Sequence, residues 1–176
     1  SEADLVRLAA QGNRDAFRDL IMCHHAGVVN VVYRMCADEQ LAEDAAQNAF
    51  IRAWQHLAEY RPQATFRSWL YRIAINAALD VLRSQKTTLN LEQVLLGSAR
   101  QGVEQQVEQN QQAQKLREAV AALPDASRVV LILREYEGLS YQEIADVLDI
   151  PIGTVMSRLN YARKSLVEKL RDWMEV

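Results

Sequence analysis

Apolar residues recur at helical spacing along almost the whole chain, and strand-like alternation is nearly absent. The pattern predicts a short first helix near Asp4–Gln11, broken by Gly12. A long second helix follows from about Asn13 to Cys36, with Asn13 as the cap that accepts from a free first-turn amide. A third helix is expected over Glu39–Glu59, capped by Asp38, and a fourth over Thr65–Gln85, capped by Thr65. These four suffice to enclose one core. Between Lys86 and Gln114 the composition shifts to Gln, Ser and Thr, with few aliphatic and no aromatic residues. So little apolar surface does not offset the cost of ordering a chain, and a flexible tether with patchy helix is expected there. A helical block resumes at Lys115, ends one helix near Leu123 and restarts after Pro124. The expected fold is all-α: two small helical domains, residues 1–85 and 113–176, joined by a flexible linker over 86–112.

Within the second block the pattern sharpens into a helix-turn-helix. Gly138 ends one helix, and Ser140 with Glu143 forms a capping box that opens the next. Ile144, Ala145 and Leu148 make its inner face, with a small residue where a crossing helix must come close. Asp149, Ile150 and Pro151 supply the turn, and proline suits a helix start because the amide it lacks would go unpaired there. On the following helix Val155, Leu159, Ala162 and Leu166 lie within an arc of about 60° at 100° per residue, the side that must pack. The opposite arc carries Thr154, Met156, Ser157, Asn160, Tyr161 and Lys164, flanked by Arg158 and Arg163. Base edges call for short donors and acceptors and phosphates call for charge, so this face suits a major groove. A helical hairpin with a solvated face is the plainer alternative.

The first block holds a different set. Six of the twelve aromatic residues fall between Phe50 and Tyr71. On the fourth helix Phe66, Leu70, Ile73, Ala77 and Val81 form an expected core arc, while Trp69, Arg72, Asn76, Asp80 and Arg83 form a separate stripe. Rings for stacking, cations for phosphates and an amide for a base edge are what holds single-stranded nucleic acid. An aromatic core corner with one snorkelling arginine fits the residue types equally well. On the third helix Asp44, Gln47 and Asn48 share a polar, non-basic face, which suits a protein partner or simply solvent.

Charge refines this picture. The net charge of −3 is spread so that residues 1–85, 86–114 and 115–176 each net −1. Locally the balance differs: Arg61–Lys86 carries five basic residues against Asp80 alone, and Pro151–Arg171 carries five against Glu168. Two local basic surfaces can bind phosphate while the remaining surface repels it. With 49% apolar and 24% charged residues the chain reads as folded and soluble, and no run approaches the roughly 20 apolar residues of a membrane span. The opening Ser1-Glu2-Ala3-Asp4 lacks the basic start and apolar core of a signal peptide, so a cytoplasmic location is expected. Cys23 and Cys36 cannot make a disulfide framework and are expected to be buried packing residues. His24 and His25 adjoin Cys23 but point about 100° apart on a helix, and His56 stands alone. With no phosphate loop, nucleophile elbow or zinc spacing, no cofactor and no enzymatic activity are expected.

Three segments together resemble the bacterial extracytoplasmic-function (group 4) sigma factors: Ala42 to Trp54, Phe66 to Asn76, and Leu123 through Leu139–Ala145 to Arg158. The likeness spans almost the whole chain. It implies region 2 and region 4 joined by a tether, in a protein that binds core RNA polymerase, at the clamp and flap of its large subunits. It also implies promoter DNA as a partner, duplex at −35 and single-stranded at −10, and a cognate anti-sigma factor. Carried over by residue, Asp44 and Gln47 are clamp contacts, with Asn48 standing where family members usually have Glu. Tyr60, Trp69, Ile73 and Asn76, with the loop Arg61–Thr65, form a pocket for an unstacked −10 base, and Arg72 and Arg83 hold phosphates. Thr154, Met156, Ser157, Arg158, Asn160, Tyr161, Arg163 and Lys164 contact the −35 duplex, Met156 and Tyr161 replacing residues that are commonly basic. A free-standing regulator that binds duplex as a dimer would account for the second block alone.

Overall fold

The computed structural model describes residues 1–95 and 111–175, and every described element is helical. Helix α1 (Glu2–Ala10) starts from a capping box of Ser1 and Asp4 and stops before Gly12, whose φ of +91° few other residues adopt. Helix α2 (Arg14–Cys36) is capped by Asn13, whose Oδ1 accepts from the Ala16 amide at 3.0 Å. Helix α3 (Glu39–His56) is capped by Asp38, which accepts from the Leu41 amide at 2.9 Å. It ends three residues earlier than its apolar pattern implies, because Leu57–Glu59 tightens into a 3-10 turn. Helix α4 (Phe66–Leu95) is the longest, and it opens where Thr65 Oγ1 accepts from the Ser68 amide at 3.1 Å.

These helices pack around Leu20, Val28, Val31, Met35, Leu57, Leu70 and Ala74, all buried. Helix α3 turns Ala42, Ala45, Ala49 and Ala53 inward, so its backbone comes close to α2 and α4. The buried side of α4 is broader than the arc expected from periodicity. Ile73 and Val81 are only half-buried, whereas Tyr71, Ile75, Ala78 and Leu82 are buried. The extra width arises because α4 is covered on two sides, by α2 and α3 and by the second domain.

The second domain comprises α5 (Gln111–Ala121), α6 (Asp125–Leu131), a π-helical stretch over Ile132–Tyr136, α7 (Tyr141–Leu148) and α8 (Ile152–Met174). Arg128 is buried and binds the α5–α6 turn, donating to the Ala121 carbonyl at 2.8 Å and to Asp125 Oδ1 at 2.7 Å. Gly138, at φ +68°, closes the π-helical stretch. The expected capping box follows: the Glu143 amide donates to Ser140 Oγ at 3.1 Å and the Ser140 amide donates to Glu143 Oε2 at 2.7 Å. That bond lowers the Glu143 pKa. Val155, Leu159 and Ala162 on α8 are buried. Leu166 packs half-buried at the edge of the core.

Two expectations need correction. Helix α4 runs to Leu95, well past the end expected at Gln85, and Gln111 already belongs to α5, so the patchy helix expected within 86–112 includes both of its described ends. Along this polar run Thr87 and Thr88 bond their hydroxyls to the Arg83 and Ser84 carbonyls at 3.1 and 3.0 Å, which leaves the backbone ladder helical, and Lys86 reaches Asp125 at 3.2 Å. The rest of that linker, residues 96–110, lies outside the described residues. Cys23 is exposed on α2, and only Cys36 is buried. His24 and His25 diverge as expected: His24 Nε2 lies 3.0 Å from Glu2 Oε2, and the His25 ring stacks on Phe50. The two domains also touch, with α2 and α4 set against α5, α6, the π-helical stretch and α7.

Candidate nucleic-acid interface

Three surfaces gather the residues singled out above. On the first, Asp44, Gln47 and Asn48 stand exposed along α3. With Leu41 they form one wall of a groove of roughly 510 Å³ whose other wall is Val81, Ser84, Gln85 and Thr88 of α4. Of the α4 wall the sequence had singled out only Val81, and that as a core residue, although all four recur at helical spacing. Leu41 and Val81 give the groove its apolar lining, and the remaining lining residues bring carboxylate, amide and hydroxyl groups.

On the second surface the loop from Tyr60 to Thr65 is pinned by its own side chains. The Tyr60 hydroxyl donates to the Ala64 carbonyl at 2.7 Å, and Arg61 Nη1 donates to the Ala58 and Tyr60 carbonyls, each at 3.1 Å. Burial raises the Tyr60 pKa, which keeps this donor protonated. The Tyr60 ring lies 5.4 Å from Trp69 and 5.9 Å from Phe66, and Phe66 lies 5.5 Å from Trp69. Edge-to-face and tilted contacts at these separations lock the rings without filling the outer side of Tyr60 and Trp69, both half-buried. Ile73 is half-buried on the next turn, and Asn76 is exposed one turn further. Asp80 of the same stripe accepts from Arg52 at 2.9 Å and lies 3.9 Å from Arg83.

Arg72, although partly exposed, is turned toward the second domain. Its Nη2 donates to the Asp146 carbonyl at 2.8 Å and its Nε to the Val147 carbonyl at 3.2 Å, satisfying orphan carbonyls at the end of α7. Arg72, Asn76 and Arg83 line one side of a cleft of roughly 590 Å³, and Asp125, Asp149 and Arg158 line the other.

The third surface is the outer side of α8. Met156 and Tyr161 are 45% and 53% exposed, and Ser157, Asn160 and Lys164 stand exposed beside them. Thr154 is half-buried, and its carbonyl accepts from Ser157 Oγ at 3.1 Å. Arg158 faces the cleft, and Arg163 Nε donates to Glu135 Oε1 at 3.1 Å. Two of the three cations expected to meet DNA on this helix are therefore drawn toward the protein. Among the described residues no three His, Cys, Asp or Glu side chains gather to hold a metal ion, and no helix is long and apolar enough to cross a membrane.

A helix-turn-helix with a polar, cationic second helix, joined to a separate helical domain, belongs to the class of DNA-binding proteins. Family models identify the two halves: sigma-70 region 2 matches residues 20–88, and sigma-70 region 4 matches residues 113–166. The chain is 32% identical to the ECF RNA polymerase sigma factor SigW of Bacillus subtilis over 178 residues, covering 95% of each chain. A solved structure of CnrH in complex with the cytosolic domain of CnrY superposes with a TM-score of 0.72 at 27% identity, covering 96% of each chain. The sigma factor RpoE of Bartonella quintana, solved with the anti-sigma factor NepR, shares the fold with a TM-score of 0.74 at 22% identity, covering 88% of this chain and 96% of that one. The chain belongs to the extracytoplasmic-function sigma factors, the transcription-initiation subunits of RNA polymerase. A free-standing dimeric regulator is not favoured, since the relatives align over both halves.

Proposed function

We propose that the two domains divide promoter recognition as follows. The α3–α4 groove, with Asp44, Gln47 and Asn48 at its rim, docks on the polymerase clamp. Tyr60, Arg61, Trp69, Ile73 and Asn76 capture an unstacked −10 base, with Arg72 and Arg83 on the phosphates. The outer side of α8, from Thr154 to Lys164, enters the major groove at −35. The chain acts in the cytoplasm by binding and not by catalysis. A cognate anti-sigma factor holds it inactive, by analogy with the relative solved with NepR. One observation carries this reading. An aromatic pair, Tyr60 and Trp69, is fixed in place yet open on one side, and exposed Asn76 lies two turns along the same rigid helix. Stacking on such rings and one amide bonded to a base edge are what offset the cost of flipping a base.

Transcription in vitro with core polymerase on a promoter library tests the whole assignment; failure to bind core, or to initiate on any sequence, overturns it. Asn76→Ala tests the pocket. Loss of a base-edge contact is worth about 1–3 kcal/mol, so open complexes should fall about 10- to 100-fold while core binding is unchanged. Permanganate reactivity of the melted strand reads this directly, and wild-type reactivity in the variant removes Asn76 from the pocket.

A further inference from the structure

Gly27 sits in the middle of the 23-residue helix α2, where glycine is among the poorest of helix formers. The reason for its presence lies across the domain boundary. A Cβ at position 27 would stand 2.3 Å from the Tyr71 hydroxyl oxygen and 3.3 Å from Glu137 Oε2. The bare backbone of α2 is therefore the seat for a pair that joins α4 of the first domain to the segment preceding α7 of the second. The Tyr71 hydroxyl donates to Glu137 Oε2 at 2.6 Å. Arg67 Nη2 donates to the Glu137 carbonyl at 2.7 Å and lies 3.8 Å from its carboxylate. The Glu137 side chain is only 10% exposed, and a carboxylate so far from water needs a donor and a counter-charge, which Tyr71 and Arg67 of the other domain supply. Burial, and then the bond to Glu137, push the Tyr71 hydroxyl up to about 12, so it remains a donor at neutral pH.

Three contacts extend the same seam. The Arg34 guanidinium lies 3.6 Å from the centre of the Tyr136 ring, Arg72 closes the end of α7, and Lys86 pairs with Asp125. The geometry points to an interdomain latch, Gly27 with Tyr71 and Glu137, that holds the two domains closed, withdraws Arg72 to the end of α7 and sets the second domain across the cleft from the exposed Asn76 and Arg83, in the path of promoter DNA. The withdrawal rests on the assignment of those three residues to the −10 strand; the latch itself does not. Elements centred at −35 and −10 lie about 25 base pairs apart, about 85 Å along B-form DNA, so domains in direct contact cannot occupy both. Promoter binding requires the latch to open.

The latch is tested in the full chain with Gly27→Ala and Tyr71→Phe. The first drives a methyl group into the Tyr71 hydroxyl while improving the helix; the second removes the donor and keeps the ring. Carbodiimide couples amines to carboxylates in direct contact, so the wild type should yield a Lys86–Asp125 cross-link by mass spectrometry and a radius of gyration of about 16 Å by X-ray scattering. Both variants should lose that cross-link about tenfold or more, as for a hydrogen bond lost from a buried charged acceptor. Their radius should increase and their helical circular dichroism should be retained. An unchanged cross-link and radius in both variants overturns the latch. Binding of fluorescein-labelled oligo(dT) reads the withdrawal: tighter binding by the opened variants supports it. Opened domains with unchanged binding overturn the withdrawal, while transcription with core polymerase still judges the sigma assignment separately.

Discussion

Met156 and Tyr161 stand exposed on α8 at positions that are commonly basic in this family, with Arg163 turned to Glu135 and Arg158 to the cleft. The outward surface is thus less cationic than its composition implies, and in the proposed −35 contact this shifts the readout toward apolar approach to thymine methyl groups. Met156→Arg should move the preferred −35 sequence toward guanine by about 1–3 kcal/mol at one base pair. Selection from a randomised −35 library measures this, and an unchanged preference places residue 156 off the bases. Which residues face outward on α8 was legible in the sequence, because 100° per residue separates Val155, Leu159 and Ala162 from Met156, Asn160 and Tyr161. The partners of Arg72 and Arg163 were not. They lie 74 and 28 residues away in the chain, and no local pattern carries information over such distances.

Among the elements, caps were the most readable features, since a side chain three residues from its amide partner leaves a local signature. Asn13, Asp38, Thr65 and Ser140 all bond as their positions imply. The end of α4 was not readable. Two threonines and a polar run read as a break, yet their hydroxyls return to the preceding turn and Lys86 finds a partner on α6. The Ser140–Glu143 cap should be pH-dependent. The Ser140 amide, followed by the Ser140 hydroxyl, holds the Glu143 carboxyl below the usual carboxylate range. A lowered folded value contributes stability that is complete above the unfolded pKa and is lost as pH falls through the folded one. Glu143→Gln should therefore be less stable than wild type by about 0.5–1 kcal/mol at pH 7, a gap that closes as both chains are acidified below about pH 4. Urea titrations at the two pH values measure it, and a constant gap assigns the effect to packing.

For the whole molecule, the change in composition after Gln85 marked out two helical units, but nothing in the residue pattern announced that they would touch. Tyr71 read as one more aromatic, and Gly27 did not stand out at all. Only their meeting with Glu137 gives either a purpose. The apolar cluster consequently runs without a break from Ala9 in α1 to Ala162 in α8. Heat should therefore melt the wild type in a single calorimetric transition, with van't Hoff and calorimetric enthalpies equal. Gly27→Ala should split it into two, and two transitions already present in the wild type would show the domains to be thermally independent. A shared melting event makes each half a thermometer for the other: a ligand that clasps the closed form anywhere on one domain raises the midpoint of both, and one that prefers them apart uncouples the pair.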